Sequence, residues 1–369
     1  MLVYKAFYVF LEFIICTYIN LLDNNTGDDM KAALLYGPYD IRVENVSMPS
    51  VSKNEVLVRV KVAGICGTDL HSYRGKHPFL KPPRILGHEF SGEIFEVGDE
   101  VKEFKENEKV IVEPIIPCGK CDMCNLGMYN VCRNLKVLGV HVDGAFAEYV
   151  KVPEERLYRL PESLSYEEGA LIEPLAVAVH VVRRGGVKIG DEVAILGAGP
   201  IGLLIAQVSK CAGASRVFIT DILDYRLELA EKLGVDITIN AMKEDPVKRI
   251  LEETNGKGVD IAIEAAGAPS TPAQALKMTK PLGRVVIVGF FETSEIKVNL
   301  LDIVAKELHI VGSRLYRNDF DTAINLLSKG KINVTSLISH KLPLEEIKRA
   351  FEMLDKKVNN PVKVLLMIG

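Results

Sequence analysis

The sequence predicts an α/β chain of two domains, a small β-rich barrel-like domain and a doubly wound parallel sheet. Three observations carry that expectation. At 369 residues the chain exceeds what one hydrophobic core usually serves, roughly 250–300 residues. From Met30 to about Gly139 short β-branched runs follow one another at close spacing. After Gly190-Asp191 the pattern changes to strands alternating with helices, which packs as a parallel sheet covered on both faces.

Composition is that of an ordinary globular protein, 48% hydrophobic and 25% charged, with a formal net charge of −4. Acidic and basic residues are interspersed, so no basic surface calls for nucleic acid or an anionic membrane. Of the seven cysteines, at 16, 66, 118, 121, 124, 132 and 211, four crowd into fifteen residues. An odd, clustered set fits metal thiolates in a reducing cytoplasm better than a secreted disulfide framework.

Residues 1–29 read as an extension outside the fold. Ala6 to Leu22 is largely apolar, but Glu12 interrupts it and it falls short of the ~20 residues that span a bilayer. A targeting segment or a membrane anchor ranks below that reading, because Lys5 is its only basic residue and no small-residue cleavage site precedes Asp23. Met30-Lys31-Ala32-Ala33-Leu34 leads into a strand, and the fold is expected to begin there.

Glu55–Ala63 alternates apolar and polar residues with period two, as a half-buried strand does. Glu93–Val97 and Lys109–Glu113 are further short strands bounded by Gly, Asp or Pro. Between the first two lies Gly64-Ile65-Cys66-Gly67-Thr68-Asp69-Leu70-His71, then Gly87-His88-Glu89. The segment offers a thiol, imidazoles, a hydroxyl and a carboxylate, the parts of a zinc site and a proton relay. A lone Cys or His is more often an ordinary core or surface side chain, so the set needs a redox partner to rise above that.

Cys118-Gly119-Lys120-Cys121-Asp122-Met123-Cys124 with Cys132 forms a C-x2-C-x2-C-x7-C array. Four thiolates can close a tetrahedral zinc shell with no open position, a structural site in a lobe of about residues 114–135. Free or disulfide-bonded cysteines fit such neighbouring pairs poorly, and an iron–sulfur cluster is disfavoured by the spacing and the missing Cys-Pro. Glu173 sits in the apolar run Ala170–Ala178. It is either an exposed acid at a helix N-terminus beside Pro174 or a buried carboxylate that needs a cation; with Cys66, His88 and Glu89 already present, the metal is favoured.

The redox partner follows. Glu192–Leu196 is a short apolar strand, then come Gly197-Ala198-Gly199-Pro200-Ile201-Gly202, a helix through Ile205 and Val208, and the strand Arg216–Thr220 ending at Asp221. This is G-x-G-x-x-G between strand and helix, with an acid about twenty residues on, a dinucleotide-binding pattern. Gly197 permits the turn, Gly199 lets the pyrophosphate approach, and Gly202 lets helix pack on strand. Pro200 and Ile201 open the helix whose N-terminus faces the phosphates. Asp221 is expected to bind the ribose hydroxyls and repel a 2′-phosphate, which predicts NAD over NADP; Arg226 nearby softens the preference.

Alternation continues through helix Arg226–Leu233, strand Ile237–Asn240, helix Pro246–Glu253, strand Val259–Glu264, a helix around Gln274–Thr279, and strands Arg284–Val288 and Leu308–Gly312. Val288-Gly289-Phe290 and Ser313-Arg314 follow strand ends, where ligands sit in open α/β sheets. Helix Asp319–Ser328 and strand Val362–Met367 are expected to rejoin the N-terminal domain.

Taken in order, these motifs resemble the medium-chain zinc-dependent alcohol dehydrogenase superfamily over about Met30 to Gly369. The likeness leans to its polyol (sorbitol), sugar-acid and L-threonine dehydrogenase branch, in which Glu replaces the second Cys ligand. The resemblance implies a GroES-like catalytic domain over 30–178 and 315–369, a Rossmann NAD-binding domain over 179–314, and commonly a tetramer. It implies two zinc ions per chain, one catalytic at Cys66, His88 and one or both of Glu89 and Glu173, one structural at Cys118, Cys121, Cys124 and Cys132. Thr68 and His71 would relay the hydroxyl proton. Charge counting expects one Glu bonded at a time, since one thiolate plus one carboxylate already neutralises Zn²⁺.

Ser72 stands where sorbitol dehydrogenases carry Tyr, with Tyr73 one place later, and Leu315-Tyr316 replaces an Arg-Tyr pair, which puts sorbitol in doubt. Gly139–Gly144 and Gly312-Ser313-Arg314 look more like enzymes of hexonate oxidation, with Arg314 meeting a substrate carboxylate. The leading expectation is an NAD- and zinc-dependent dehydrogenase of a small-molecule secondary alcohol, a polyol or sugar acid. L-Threonine 3-dehydrogenase and a non-catalytic nucleotide-binding protein on the same scaffold are the alternatives.

Overall fold

A computed structural model describes residues 29–293 and 295–369. The first strand, Asp29–Gly37, opens one residue before the expected Met30, so Asp29 belongs to the fold. Residues 1–28, and the expectation of an extension there, lie outside the described residues. Among the described residues no helix is long and apolar enough to cross a membrane.

The catalytic sheet has seven strands. Along it run Leu157–Arg159, Lys109–Val112, Glu89–Val97, Glu55–Gly64, Lys363–Met367 and Ile338–Pro343, with Tyr149–Pro153 also pairing to Glu55–Gly64. Alternation in Glu55–Gly64 is visible as burial, with Val56, Val58, Val60 and Val62 sealed in the core. The C-terminal strand does return: Leu365 pairs with Gly64 and Met367 with Val62. In the neighbouring ladder Gly64 pairs with Glu89. Three strands distant in sequence therefore meet at the end of Glu55–Gly64, just before Cys66.

The second sheet is parallel, with six strands in the spatial order Ile237–Asn240, Arg216–Asp221, Glu192–Leu196, Val259–Glu264, Thr279–Ile287, His309–Gly312. The order reverses between Glu192–Leu196 and Val259–Glu264, the switch point at which open α/β sheets bind ligands. Thr279–Ile287 starts five residues earlier than expected because Thr279 pairs with Val259 before a register shift to Ile261↔Arg284. The domain boundary expected between 178 and 179 falls within helix Ile172–Gly185, whose apolar faces join both domains in one core.

Candidate active site

Cys66 caps the short helix Gly67–Tyr73, and Asp69 in its first turn accepts a hydrogen bond from the Cys66 N–H at 2.9 Å. This reciprocal cap fixes where the thiol points. Gly87, at φ +97°, makes the turn before His88; a Cβ there would strike Phe146. The ligand atoms of Cys66, His88 and Glu89 all lie within 4.8 Å of one another. Gly64 makes room for the third, since a Cβ on it would stand 2.5 Å from Glu89 Oε2.

The groups around this trio fit a cation. His88 Nδ1 lies 3.5 Å from Asp69 Oδ1, both buried, and neither completes a hydrogen bond. Burial opposes charge on His88, but the Asp69 carboxylate and the Cys66 thiol win and hold its pKa well above the ordinary value. Asp69 is thus placed at one ring nitrogen of His88, where a carboxylate can orient a metal-binding imidazole.

Glu173 lies in the first turn of Ile172–Gly185, yet it is buried. It keeps the helix N-terminal position of the first description, but its burial contradicts an exposed acid and leaves the second, a carboxylate taken out of water. Its oxygens are not among the mutually close trio. Burial, with Glu89 adding to it, pushes its carboxyl up to about 7, while His88, Tyr316 and Lys363 pull the other way. An acid so placed is poised to receive positive charge.

Lys363 and Asp69 are the functional residues that sequence reasoning missed in their roles. Lys363 Nζ donates to Glu89 Oε2 at 2.6 Å and to the Ile65 carbonyl at 3.2 Å. A lysine inside the apolar strand Lys363–Met367 was the available signal. Tyr73 and Ser72, where substrate selection was sought, turn away from the cleft. Tyr73 stacks on Phe351 at 4.7 Å, and Ser72 donates to the Thr68 carbonyl at 2.9 Å. Tyr316 is fully buried, its hydroxyl directed at Glu173 without completing a hydrogen bond.

Cys118, Cys121, Cys124 and Cys132 form a second group within 4.8 Å. Cys121 and Cys124 sulfurs are 3.5 Å apart, Cys121 and Cys132 sulfurs 3.8 Å. Backbone N–H groups of Cys118 and Asn134 point at Cys132 Sγ, at 3.3 and 3.4 Å. N–H groups of Arg133 and Cys124 draw the Cys121 thiol down to about 6, whereas burial and the neighbouring thiols drive Cys124 up to about 12. Such opposed shifts express thiols crowded together, which a divalent cation relieves. The donor set and its size fit zinc.

In the nucleotide domain Gly197 and Gly202 meet the steric demands that their spacing predicts. Gly197 has φ +108° and packs against Ala266 across the switch point. A Cβ on Gly202 would fall onto the Gly197 carbonyl, and Gly199 caps helix Pro200–Cys211, where Ile201 follows Pro200. Asp221 Oδ2 accepts the Ala198 N–H at 2.8 Å, and Oδ1 accepts those of Ile222 and Leu223. Arg226 Nη1 stands 3.7 Å from Asp221 Oδ2. Val288-Gly289-Phe290 and Ser313 follow adjacent paired strands, with Ser313 N–H donating to Ile287 O. Phe290 reaches across to the catalytic domain, its ring 4.5 Å from that of His71. Arg314 is exposed, its carbonyl held by Asn130 Nδ2 at 3.0 Å.

A GroES-like domain carrying a Cys/His/carboxylate cluster, joined to a dinucleotide-type sheet, defines a zinc-type dehydrogenase scaffold. Comparison with known proteins agrees: residues 52–162 match the alcohol dehydrogenase GroES-like domain and residues 200–329 the zinc-binding dehydrogenase domain. The chain belongs to the medium-chain zinc-type alcohol dehydrogenase superfamily, a family of oxidoreductases. It is 37% identical to a sorbitol dehydrogenase of Bacillus subtilis over 349 residues, 94% of this chain and 99% of that one. It is 40% identical to an L-threonine 3-dehydrogenase of Bacillus licheniformis over 319 residues, 85% and 92% respectively.

Among solved structures, a short chain alcohol dehydrogenase of Escherichia coli CFT073 complexed with NADH superposes with a TM-score of 0.87 at 38% identity, covering 92% of this chain and 100% of that one. A zinc-binding dehydrogenase of Sinorhizobium meliloti bound to NADP gives 0.86 at 36%, covering 92% and 99%. L-Idonate 5-dehydrogenase of Escherichia coli gives 0.85 at 29%, covering 92% and 98%.

Proposed function

We propose that this protein reversibly oxidises a secondary alcohol, a polyol or sugar acid, with NAD as the hydride acceptor. The observation that carries the reading is the convergence of Cys66, His88 and Glu89 within 4.8 Å beside buried Glu173. When bound, zinc at this site would acidify the substrate hydroxyl and the nicotinamide would accept the hydride. Lys363 neutralises Glu89, which leaves Cys66 and Glu173 as the thiolate and carboxylate that balance the charge of Zn²⁺. His88 supplies the neutral ligand, oriented by Asp69. Thr68, two residues beyond Cys66, receives the hydroxyl proton and passes it towards His71. The four cysteines of residues 118–132 would hold the second zinc and do no chemistry.

Asp221 favours NAD, since a carboxylate at the end of strand Arg216–Asp221 would accept the ribose hydroxyls and repel a 2′-phosphate. Burial lowers the proton affinity of His141 and exposed Arg314 lowers it further; on this reading the Arg314 guanidinium would meet the carboxylate of a hexonate. The likeness to L-idonate 5-dehydrogenase points the same way. L-Threonine as substrate is the second reading, favoured by the 40% identity to a threonine dehydrogenase. We place the catalytic domain at 29–178 and 315–369 and the nucleotide domain at 179–314, with helix Ile172–Gly185 shared across the first boundary, and the molecule in the cytoplasm as a tetramer. A panel of hexitols, hexonates and L-threonine, followed by NADH absorbance, tests the substrate. Reduction of NAD by threonine alone would overturn the polyol and sugar-acid reading.

A further inference from the structure

The nucleotide domain sends one carboxylate into the catalytic domain beside the relay histidine. Glu292 follows the strand Thr279–Ile287 by five residues, and its Oε1 stands 3.4 Å from His71 Nδ1. His71 Nδ1 is buried and completes no hydrogen bond within the protein. The same carboxylate is gripped by two cations from the catalytic domain: Arg74 Nη1 at 3.3 Å, and Lys76 in closer contact. Arg74 is itself anchored by Asp355 of helix Ile347–Lys356 at 2.6 Å. Phe290, two residues before Glu292, packs at a tilt against the His71 ring, 4.5 Å between centroids. One short segment of the nucleotide domain therefore covers the imidazole face and approaches its edge.

We infer that Glu292 is a positioning residue for His71, facing its ring nitrogen and stabilising the imidazolium form during alcohol oxidation. The inference rests on the proton relay proposed above. In that step the hydroxyl O–H of the alcohol breaks by way of Thr68, and a ring N–H forms on His71. His71 later gives the proton to solvent, so one proton enters and one leaves. A carboxylate behind the receiving imidazole fixes its tautomer and favours its charged form, the logic of carboxylate–histidine pairs in general.

The electrostatic surroundings have opposed signs. Burial lowers the affinity of His71 for a proton; Glu292 raises it, and Arg74 and Lys76 lower it. His77, across the Phe290 ring, is a further titratable group beside this cluster, and Asp69 acts on His77 in turn. Lys76 and the other neighbours keep Glu292 ionised, its carboxyl held below the ordinary range. Glu292 is thus a fixed negative charge rather than the proton's destination. Because it belongs to the other domain, the relay is complete only when both domains are in contact.

The test is a histidine titration of the zinc-loaded protein by NMR, with His71 assigned from the signal lost in His71→Gln, alongside steady-state turnover. Glu292→Gln is expected to lower the His71 midpoint and reduce kcat about tenfold, the effect of roughly 1.4 kcal/mol. Glu292→Asp is expected to recover part of both. Lys76→Met is expected to move the midpoint the opposite way, upwards, because it removes a cation and leaves the carboxylate. Superimposable titrations for wild type and Glu292→Gln overturn the inference. So does a midpoint that falls in Lys76→Met as well, which would mark Glu292 as an interdomain clamp only. If the wild type reduced NAD with none of the alcohols tried, the functional reading would fail while the titration still decided this one.

Discussion

Lys363 Nζ and Glu89 Oε2 form a 2.6 Å ion pair sealed from solvent beside the Cys66 thiol. The two residues are 274 positions apart in the chain and meet only because Lys363–Met367 and Glu89–Val97 flank the same strand. The pair decides the charge of the site. It takes one carboxylate out of the count, so that on the function proposed above Cys66 and Glu173 would be the anions that face a divalent cation.

Breaking this pair is expected to be costly. Lys363→Met strands a buried carboxylate, and loss of one partner from a buried ion pair typically costs about 3–5 kcal/mol. Urea unfolding should show that loss, and the double variant Lys363→Met/Glu89→Gln should recover most of it. A double variant no more stable than the single one would show that the pair is not the source of the effect.

Metal content should separate the two sites. The wild-type protein is expected to carry two zinc ions per chain by elemental analysis. Cys66→Ala and Glu173→Gln should each retain only the ion at the four-cysteine lobe and lose NAD-dependent turnover by at least about a hundredfold, the scale of lost metal assistance. Glu89→Gln should keep both ions. Loss of zinc from Glu89→Gln but not from Glu173→Gln would reverse the assignment of the carboxylates.

Gly202→Ala should cripple the nucleotide turn. The added methyl would collide with the Gly197 carbonyl, a backbone atom with little freedom to move. Overpacking of this kind costs about 1–3 kcal/mol or more, and the loss should appear as a lower melting temperature together with weaker NADH binding by fluorescence. An unchanged NADH affinity would mean that the glycine serves no close approach.

Asp221→Ser should shift cofactor choice. Removing the carboxylate leaves Arg226 next to the ribose position, so the ratio of kcat/KM for NADP over NAD is expected to rise at least about tenfold, or 1.4 kcal/mol. Some stability should be lost as well, because Asp221 also accepts three backbone N–H groups.

Glu264 gives a pH dependence of known sign. Its Oε1 accepts from Ala266 N, Gly267 N and Thr271 Oγ1, yet burial outweighs these bonds and raises its carboxyl above the ordinary 4.5. A raised carboxyl contributes fully below the ordinary value, and the contribution is lost as pH rises through the folded-state value. Wild type should therefore lose stability relative to Glu264→Gln between pH 4.5 and neutrality. Urea midpoints for both proteins across that range check it; parallel curves would contradict it.

Much of this was legible in the chain because local signals are strong where backbone geometry is demanding. Strands Glu192–Leu196, Ile237–Asn240 and Val259–Glu264 and helix Pro246–Glu253 fall where apolar period, Pro at a helix start and Gly at strand ends place them. The start of Thr279–Ile287 was missed because its first residue pairs across a register shift, which no local pattern marks. Where the Tyr73 side chain lies was not legible either. Its burial against Phe351 depends on where helix Ile347–Lys356 lands, nearly three hundred residues away.

By itself the sequence determined which side-chain types gather at the site, the glycine turn and the four-thiol lobe, since each is written in side-chain chemistry and short spacing. The tertiary structure alone decided how the charges are shared. Coulombic and desolvation energies depend on distance and burial, and only the folded sheets set Lys363 on Glu89, Asp69 behind His88 and Glu292 against His71.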